Sequence, residues 1–163
     1  MRGVTTDETV AVTHTYPPRA FLAVANPIVR ALATSPLHRL VKDYMVLHVT
    51  GRKTGKDYAV PVAGHEIDDT LTVLTSAGWR RNLRDNPTIE VTRKGLRGPM
   101  QATLVEDADE VAQGVAKKVE ELGVRGAKQI RVTINVDRTP TMDEYREAAR
   151  RDGMALVRLT PHT

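Results

Sequence analysis

The chain has 163 residues, a formal net charge of +4 and a sequence pI near 9.6, enough length for one domain with a real core. It contains no cysteine, which excludes disulfide scaffolds and thiolate metal or redox chemistry. With one Phe and one Trp it lacks the stacking platforms of a single-strand binder, so its basic balance suits an anionic lipid or a phosphorylated small molecule better than nucleic acid.

Residues 1–15 are polar, include Asp7 and Glu8, and lack the basic and apolar regions of a secretory signal. They read as a flexible tail ahead of a single domain over 16–163. No apolar stretch is long enough to span a bilayer; the longest, 20–37, is interrupted by Asn26, Pro27, Arg30 and Pro36. A cytoplasmic location is the resulting expectation. Pro17-Pro18 opens a helical segment with Phe21, Val24 or Ala25, Ile28 and Leu32 on one side, which Pro27 divides in two. Ser35-Pro36 starts another short helix, with a capping hydroxyl before a proline at the first helical position. These helices are expected to pack on a sheet. The alternative is peripheral membrane contact through Arg19, Arg30, His38, Arg39 and Lys42.

From Tyr44 the pattern changes to strands. Met45 to Val49 is continuously apolar and predicts a strand buried on both faces. Thr50-Gly51-Arg52-Lys53-Thr54-Gly55-Lys56 is a basic turn, and Tyr58 to Ala63 is extended, with Pro61 arguing for an edge or a bulge. Residues 65–70 read as a turn into the strand Leu71 to Thr75, which Ser76-Ala77-Gly78 ends. Trp79 to Asn86 is about two turns of helix stopped by Pro87. Ile89 and Val91 mark the next strand. Residues 94–98 form a turn, and Met100, Ala102 and Leu104 alternate in the strand beyond it. Asp107 and Glu110 form a capping box for a helix with Val111, Val115, Val119 and Leu122 on one stripe, ending at Gly123. Ile130, Val132, Ile134 and Val136 alternate as a strand. Thr141 and Glu144 cap a polar helix to Arg151, and Met154 to Leu159 is the last strand. Short strands joined by tight turns, with helices before and after them, predict an antiparallel sheet closing on itself.

The basic turn is not a P-loop: three residues separate its glycines, and Asp57 follows Lys56 in place of a hydroxyl. Its two glycines and three cations suit a phosphate or carboxylate. The five histidines are scattered, so no metal site is expected, and His48 reads as a satisfied core residue. The two serines, Ser35 and Ser76, have no nucleophile-elbow context. The remaining constellation is basic: Arg52, Lys53 and Lys56 on the turn, Arg80, Arg81 and Arg84 on the small helix, and Arg93, Lys94 and Arg97 on the later hairpin. Trp79 is placed to wall a cleft between the first two groups; the plainer reading makes Trp79 and Leu83 core.

Thr50-Gly51-Arg52-Lys53-Thr54-Gly55, then Pro61, then Trp79-x-x-Asn82-Leu83-x-x-Asn86-Pro87, resembles the deazaflavin-dependent nitroreductase and quinone reductase family. The resemblance runs from about Tyr44 to Val105. It implies an α+β fold: a split β-barrel of mainly antiparallel strands with flanking helices. It also implies coenzyme F420, a 5-deazaflavin with a phosphate and a glutamate tail, and hydride transfer to a small electron-poor acceptor such as a quinone or nitroaromatic. Carried over by position, Arg52, Lys53 and Thr54 would hold the phosphate and tail, and Pro61 and Val62 would offer backbone to the ring. Tyr58, Ser76, Ala77, Trp79 and Asn82 would complete the cofactor site. The sequence leaves the proton for the reduced acceptor to Tyr58, Ser76 or water. Tyr58 and Ala77 stand where a well-known member carries cations. The alternative on the same fold is a non-catalytic carrier of a flavin such as FMN, of haem or of a fatty acid.

Overall fold

The computed structural model describes residues 9–15 and 44–162, with Pro27, Ala31, Ser35 and Pro36 between them. Pro27 and Ala31 are helical. The rest of the expected N-terminal helices, and the basic residues of the membrane reading, lie outside the described residues. Among the described residues no helix is long and apolar enough to cross a membrane.

A strand at Val12–His14 (β1) precedes the main sheet, so the expected tail is ordered at its end. β1 pairs antiparallel with Val132–Ile134 (β8), and Val12 is buried. Three residues are too short a strand to show a period in sequence, which is why β1 read as tail. The main sheet contains Tyr44–Thr50 (β2), Asp57–Ala63 (β3), His65–Ile67 (β4), Thr70–Thr75 (β5), Thr88–Arg93 (β6), Leu96–Val105 (β7) and Ala155–Pro161 (β9). Its order is β3-β2-β6-β7-β9-β5-β4, with every neighbouring pair antiparallel. β3 and β4 are opposite edges of this sheet, yet only Gly64 separates them in sequence. The sheet therefore curls until its edges meet, as a half-barrel. The corner is tight: a Cβ on Gly64 would sit 2.6 Å from Met45 Cε.

Two hairpins are tighter than their sequences suggested. Asp68 and Asp69 carry positive φ (50° and 57°) and form a two-residue turn, so 65–67 is strand rather than turn. Lys94 and Gly95, with φ of 51° and 77°, do the same between β6 and β7, and Leu96 to Gly98 joins β7. Left-handed backbone at both turn positions matches the right-handed twist of the flanking strands. Pro61 lies on β3, an edge strand, as expected: it has no N–H to contribute to a central ladder.

Met45, Leu47 and Val49 of β2 point into the half-barrel with Val91 of β6, Ala102 of β7 and Leu159 of β9. Val46, on the opposite face of β2, is also fully buried, so this strand is covered on both sides. Each such large apolar side chain contributes about 1.5–3 kcal/mol relative to exposure. A second core lies between the other face of the sheet and the helices Ala108–Gly126 (α1) and Met142–Arg151 (α2). Val111, Val115 and Val119 form the buried stripe of α1 and share this core with Leu156 of β9. Gly114 allows that close approach, since a Cβ there would sit 2.7 Å from Leu156 Cδ1.

Asp107 caps α1 by accepting from the N–H groups of Asp109 and Glu110, but the box is incomplete because the Glu110 carboxylate turns to Arg158. The expected stop at Gly123 is a kink, with φ 75° and ψ 169°, and helix resumes to Gly126. A 3-10 turn at Ala127–Ile130 follows, ending on Arg131 in the left-handed region. The strand expected from Ile130 to Val136 is thus only β8, and it lies outside the main sheet. Alternation correctly marked Ile130 and Val132 as buried, but could not exclude a turn between them. The Thr141–Glu144 capping box on α2 is complete.

Candidate functional site

The candidate site is one end of the half-barrel, where the β2–β3 turn meets a 3-10 helix at Gly78–Arg84. The turn is closed by its own backbone: the Gly51 N–H donates to the Lys56 carbonyl at 2.7 Å, and the Gly55 N–H to the Gly51 carbonyl at 2.8 Å. Gly55 has φ 66°, the left-handed region that glycine enters without penalty. At its base Thr50 Oγ1 donates to Asp57 Oδ1 at 2.8 Å. The Lys56 N–H donates to Thr54 Oγ1 at 3.3 Å, and that hydroxyl lies 3.4 Å from the Tyr58 hydroxyl. Tyr58 also lies against Gly51, where a Cβ would come within 2.8 Å of its ring. Gly51 is therefore required for space rather than for its own dihedrals.

The two sequence motifs come together in a direct contact. The Arg52 N–H donates to Asn82 Oδ1 at 3.1 Å, across thirty positions of chain. Asn82 stands on a fixed platform. Leu83, its neighbour, is buried in the half-barrel, and Trp79 packs partly buried against the same core. Arg80 Nη1 donates to the carbonyls of Ser76 (2.9 Å) and Ala77 (2.8 Å), tying the helix to the end of β5. Trp79 thus follows its plainer reading in part: it is a core residue at the rim rather than a free wall.

The basic constellation divides into paired and unpaired members. Glu106, just beyond β7, takes Arg84 Nη2 at 2.5 Å and lies 3.4 Å from Arg80 Nε. The Arg84 hydrogen bond holds the Glu106 carboxyl below the ordinary glutamate range, against its partial desolvation. Arg97 pairs with Glu90 at 3.4 Å. The hairpin carrying Arg93 and Lys94 lies at the other end of the sheet, since Arg93 is opposite Met45 near the start of β2 while the basic turn follows its end. The third basic group therefore does not join the site, and Arg80 and Arg84 are structural cations. Glu106 was not singled out in sequence; it stands at the head of the acidic run Glu106-Asp107-Ala108-Asp109-Glu110, and its role is visible only once its two arginines are near.

Arg52, Lys53 and Lys56 are exposed and form no ion pair among the described residues. The N–H groups of Lys53 and Thr54, between the closing bonds of the turn, take no partner there either. Two consecutive free N–H groups flanked by three unpaired cations have the donors and the charge that suit an oxyanion. By contrast, a cleft of about 290 Å³ between α1 and the β4–β5 hairpin is lined by cations already matched: Lys117 with Asp68 at 2.7 Å and Arg158 with Glu110 at 3.5 Å.

The other expected site residues take up varied positions. Pro61 and Val62 lie on β3 beyond Tyr58, with Val62 facing the half-barrel and Pro61 the opposite face. The backbone of this edge strand pairs only with β2 among the described residues. Ser76 and Ala77 are half-buried at the entry to the 3-10 helix. His48 is satisfied, its Nε2 lying 2.9 Å from Thr92 Oγ1. Burial and the Arg97 charge lower its pKa, against Glu90 and Asp57. It faces away from the half-barrel interior, on the Pro61 side of the sheet.

A family profile described as F420H(2)-dependent quinone reductase matches residues 24–139. No curated protein matches the chain. Among solved structures it is similar to an F420-H2 dependent reductase (FDR-A), with 18% identity, a TM-score of 0.43, and coverage of 72% of this chain and 94% of that one. It is also similar to the conserved hypothetical protein Rv2991 from Mycobacterium tuberculosis, with 13% identity, a TM-score of 0.46, and coverage of 85% and 80%. A third neighbour is HutZ, the heme storage protein from Vibrio cholerae, with 18% identity, a TM-score of 0.45, and coverage of 84% and 89%.

Proposed function

The chain belongs to the F420H(2)-dependent quinone reductase family, a family of oxidoreductases, and from that premise we propose that it transfers a hydride between coenzyme F420 and a small electron-poor acceptor, with a quinone as the first candidate. The observation that carries this reading is the unpaired anion receptor at Lys53 and Thr54. It suits the phosphate and carboxylate tail of such a coenzyme in number of donors and in charge. The coenzyme supplies the hydride chemistry when bound, and the protein supplies binding, orientation and electrostatics.

Arg52 and Lys53 hold the anionic end by charge, while the Lys53 and Thr54 N–H groups hold it by direction. The edge of β3 at Pro61 and Val62 offers backbone to the ring, and Trp79 with Ala77 borders that end of the site. Reduction of a quinone by a hydride also consumes one proton. We assign its delivery to the hydroxyl of Tyr58 or of Ser76. Tyr58→Phe and Ser76→Ala distinguish them: the variant that loses the donor drops kcat by more than it weakens coenzyme binding, and a kcat retained in both variants assigns the proton to water. The direct test mixes the protein with reduced coenzyme and a soluble quinone and follows coenzyme oxidation. Oxidation that depends on protein and acceptor is expected; a rate no faster than the protein-free control defeats the proposal.

A further inference from the structure

We infer that Asn82 is a positioning residue that sets the anion grip through the backbone of the turn. This deepens the proposed function and rests on it. The Arg52 N–H is one of three consecutive donors at the tip of the turn, with those of Lys53 and Thr54. Asn82 Oδ1 takes the first and leaves the next two without partners. Without that acceptor the tip is joined to the 3-10 helix by no other hydrogen bond among the described residues, and its own closing bonds link only positions 50–58 to one another.

The contact therefore ties the turn to a helix that is itself anchored in the core and to neighbouring elements. Asn82 precedes Leu83, which is 2% exposed, and the helix is tied to Glu106 through Arg84 and to the end of β5 through Arg80. Trp79 and Ala77, at the start of the same helix, border the ring end of the proposed site. One side chain thus sets the distance between the donors for the anionic end and the residues around the ring. A ligand that must reach both ends gains from this fixed separation, because its second contact is made without a further ordering cost. An anion that uses the turn alone gains much less.

The experiment measures hydrogen exchange at individual amides, together with titrations of coenzyme F420 and of inorganic phosphate. In the wild-type chain the Arg52 N–H is expected to be protected while those of Lys53 and Thr54 exchange freely. Equal exchange at all three would overturn the inference with no variant needed. In Asn82→Ala the Arg52 protection is lost, coenzyme affinity falls about tenfold, and the weak affinity for inorganic phosphate changes less than about twofold. In Asn82→Asp, which keeps the acceptor, the protection returns, a rescue that a loss of general stability would not produce. Retained Arg52 protection in a folded Asn82→Ala protein, or a coenzyme affinity unchanged by it, contradicts the role. Absence of coenzyme binding to the wild-type chain would instead defeat the proposed function, with the clamp still decided by exchange.

Discussion

Arg52 and Lys53 differ from Arg80, Arg84 and Arg97 in having no carboxylate partner among the described residues. Loss of either side chain therefore removes a ligand contact without stranding a partner in the protein. Arg52→Ala and Lys53→Ala are each expected to weaken coenzyme binding by ~1.5–3 kcal/mol, the range for a charge-assisted hydrogen bond, with the thermal midpoint nearly unchanged. Titration beside a melting curve checks both halves of this expectation. The sequence showed which cations sat on the turn, because that turn is local. It could not show that Glu106 neutralises Arg80 and Arg84 or that Glu90 takes Arg97, because those pairs form only when distant strands close. The same locality explains Glu144: Arg138 and the Thr141 N–H hold its carboxyl down to about 2. A carboxyl depressed in the folded state adds stability that is fully present above its ordinary value near 4.5 and is lost as pH falls toward 2. Acid unfolding followed by circular dichroism is expected to lose part of its pH dependence in that window in Glu144→Gln.

At the scale of elements, legibility followed length and locality. The caps at Asp107 and Thr141 were readable because cap and first turn are neighbours in sequence. β1 was not, because three residues carry no period; β8 was read within a longer strand, but its pairing with β1 joins segments far apart in sequence and has no local signal. The 3-10 helix was found as a helix from its stop at Pro87 and its apolar Trp79 and Leu83. Its role as a platform depends on how far Leu83 is buried, which only the closed sheet determines. Leu83→Ala is expected to leave a cavity in the half-barrel and cost about 2–5 kcal/mol, measured by denaturant unfolding. Because Asn82 is the preceding residue, the same variant should loosen the turn and lower coenzyme affinity beyond what its stability loss explains.

The whole molecule combines a closed apolar interior with one polar end built by two segments that the sheet brings together. The antiparallel half-barrel was legible from short strands and tight turns, and the family from the pairing of the turn motif with the Trp79 motif. Strand order was not. The last strand, β9, runs between β7 and β5 in the middle of the sheet, a placement set by long-range pairing rather than by any local signal. Function at this scale rests on one claim, that the Thr50–Lys56 end binds the anionic part of coenzyme F420. The most direct measurement is a titration of the purified, folded protein with oxidised and reduced coenzyme. Saturable binding is expected, with a dissociation constant of roughly tens of micromolar or tighter, weakened in Arg52→Ala and Lys53→Ala. No saturable binding in that range, or equal binding by the wild-type and both variants, would contradict it.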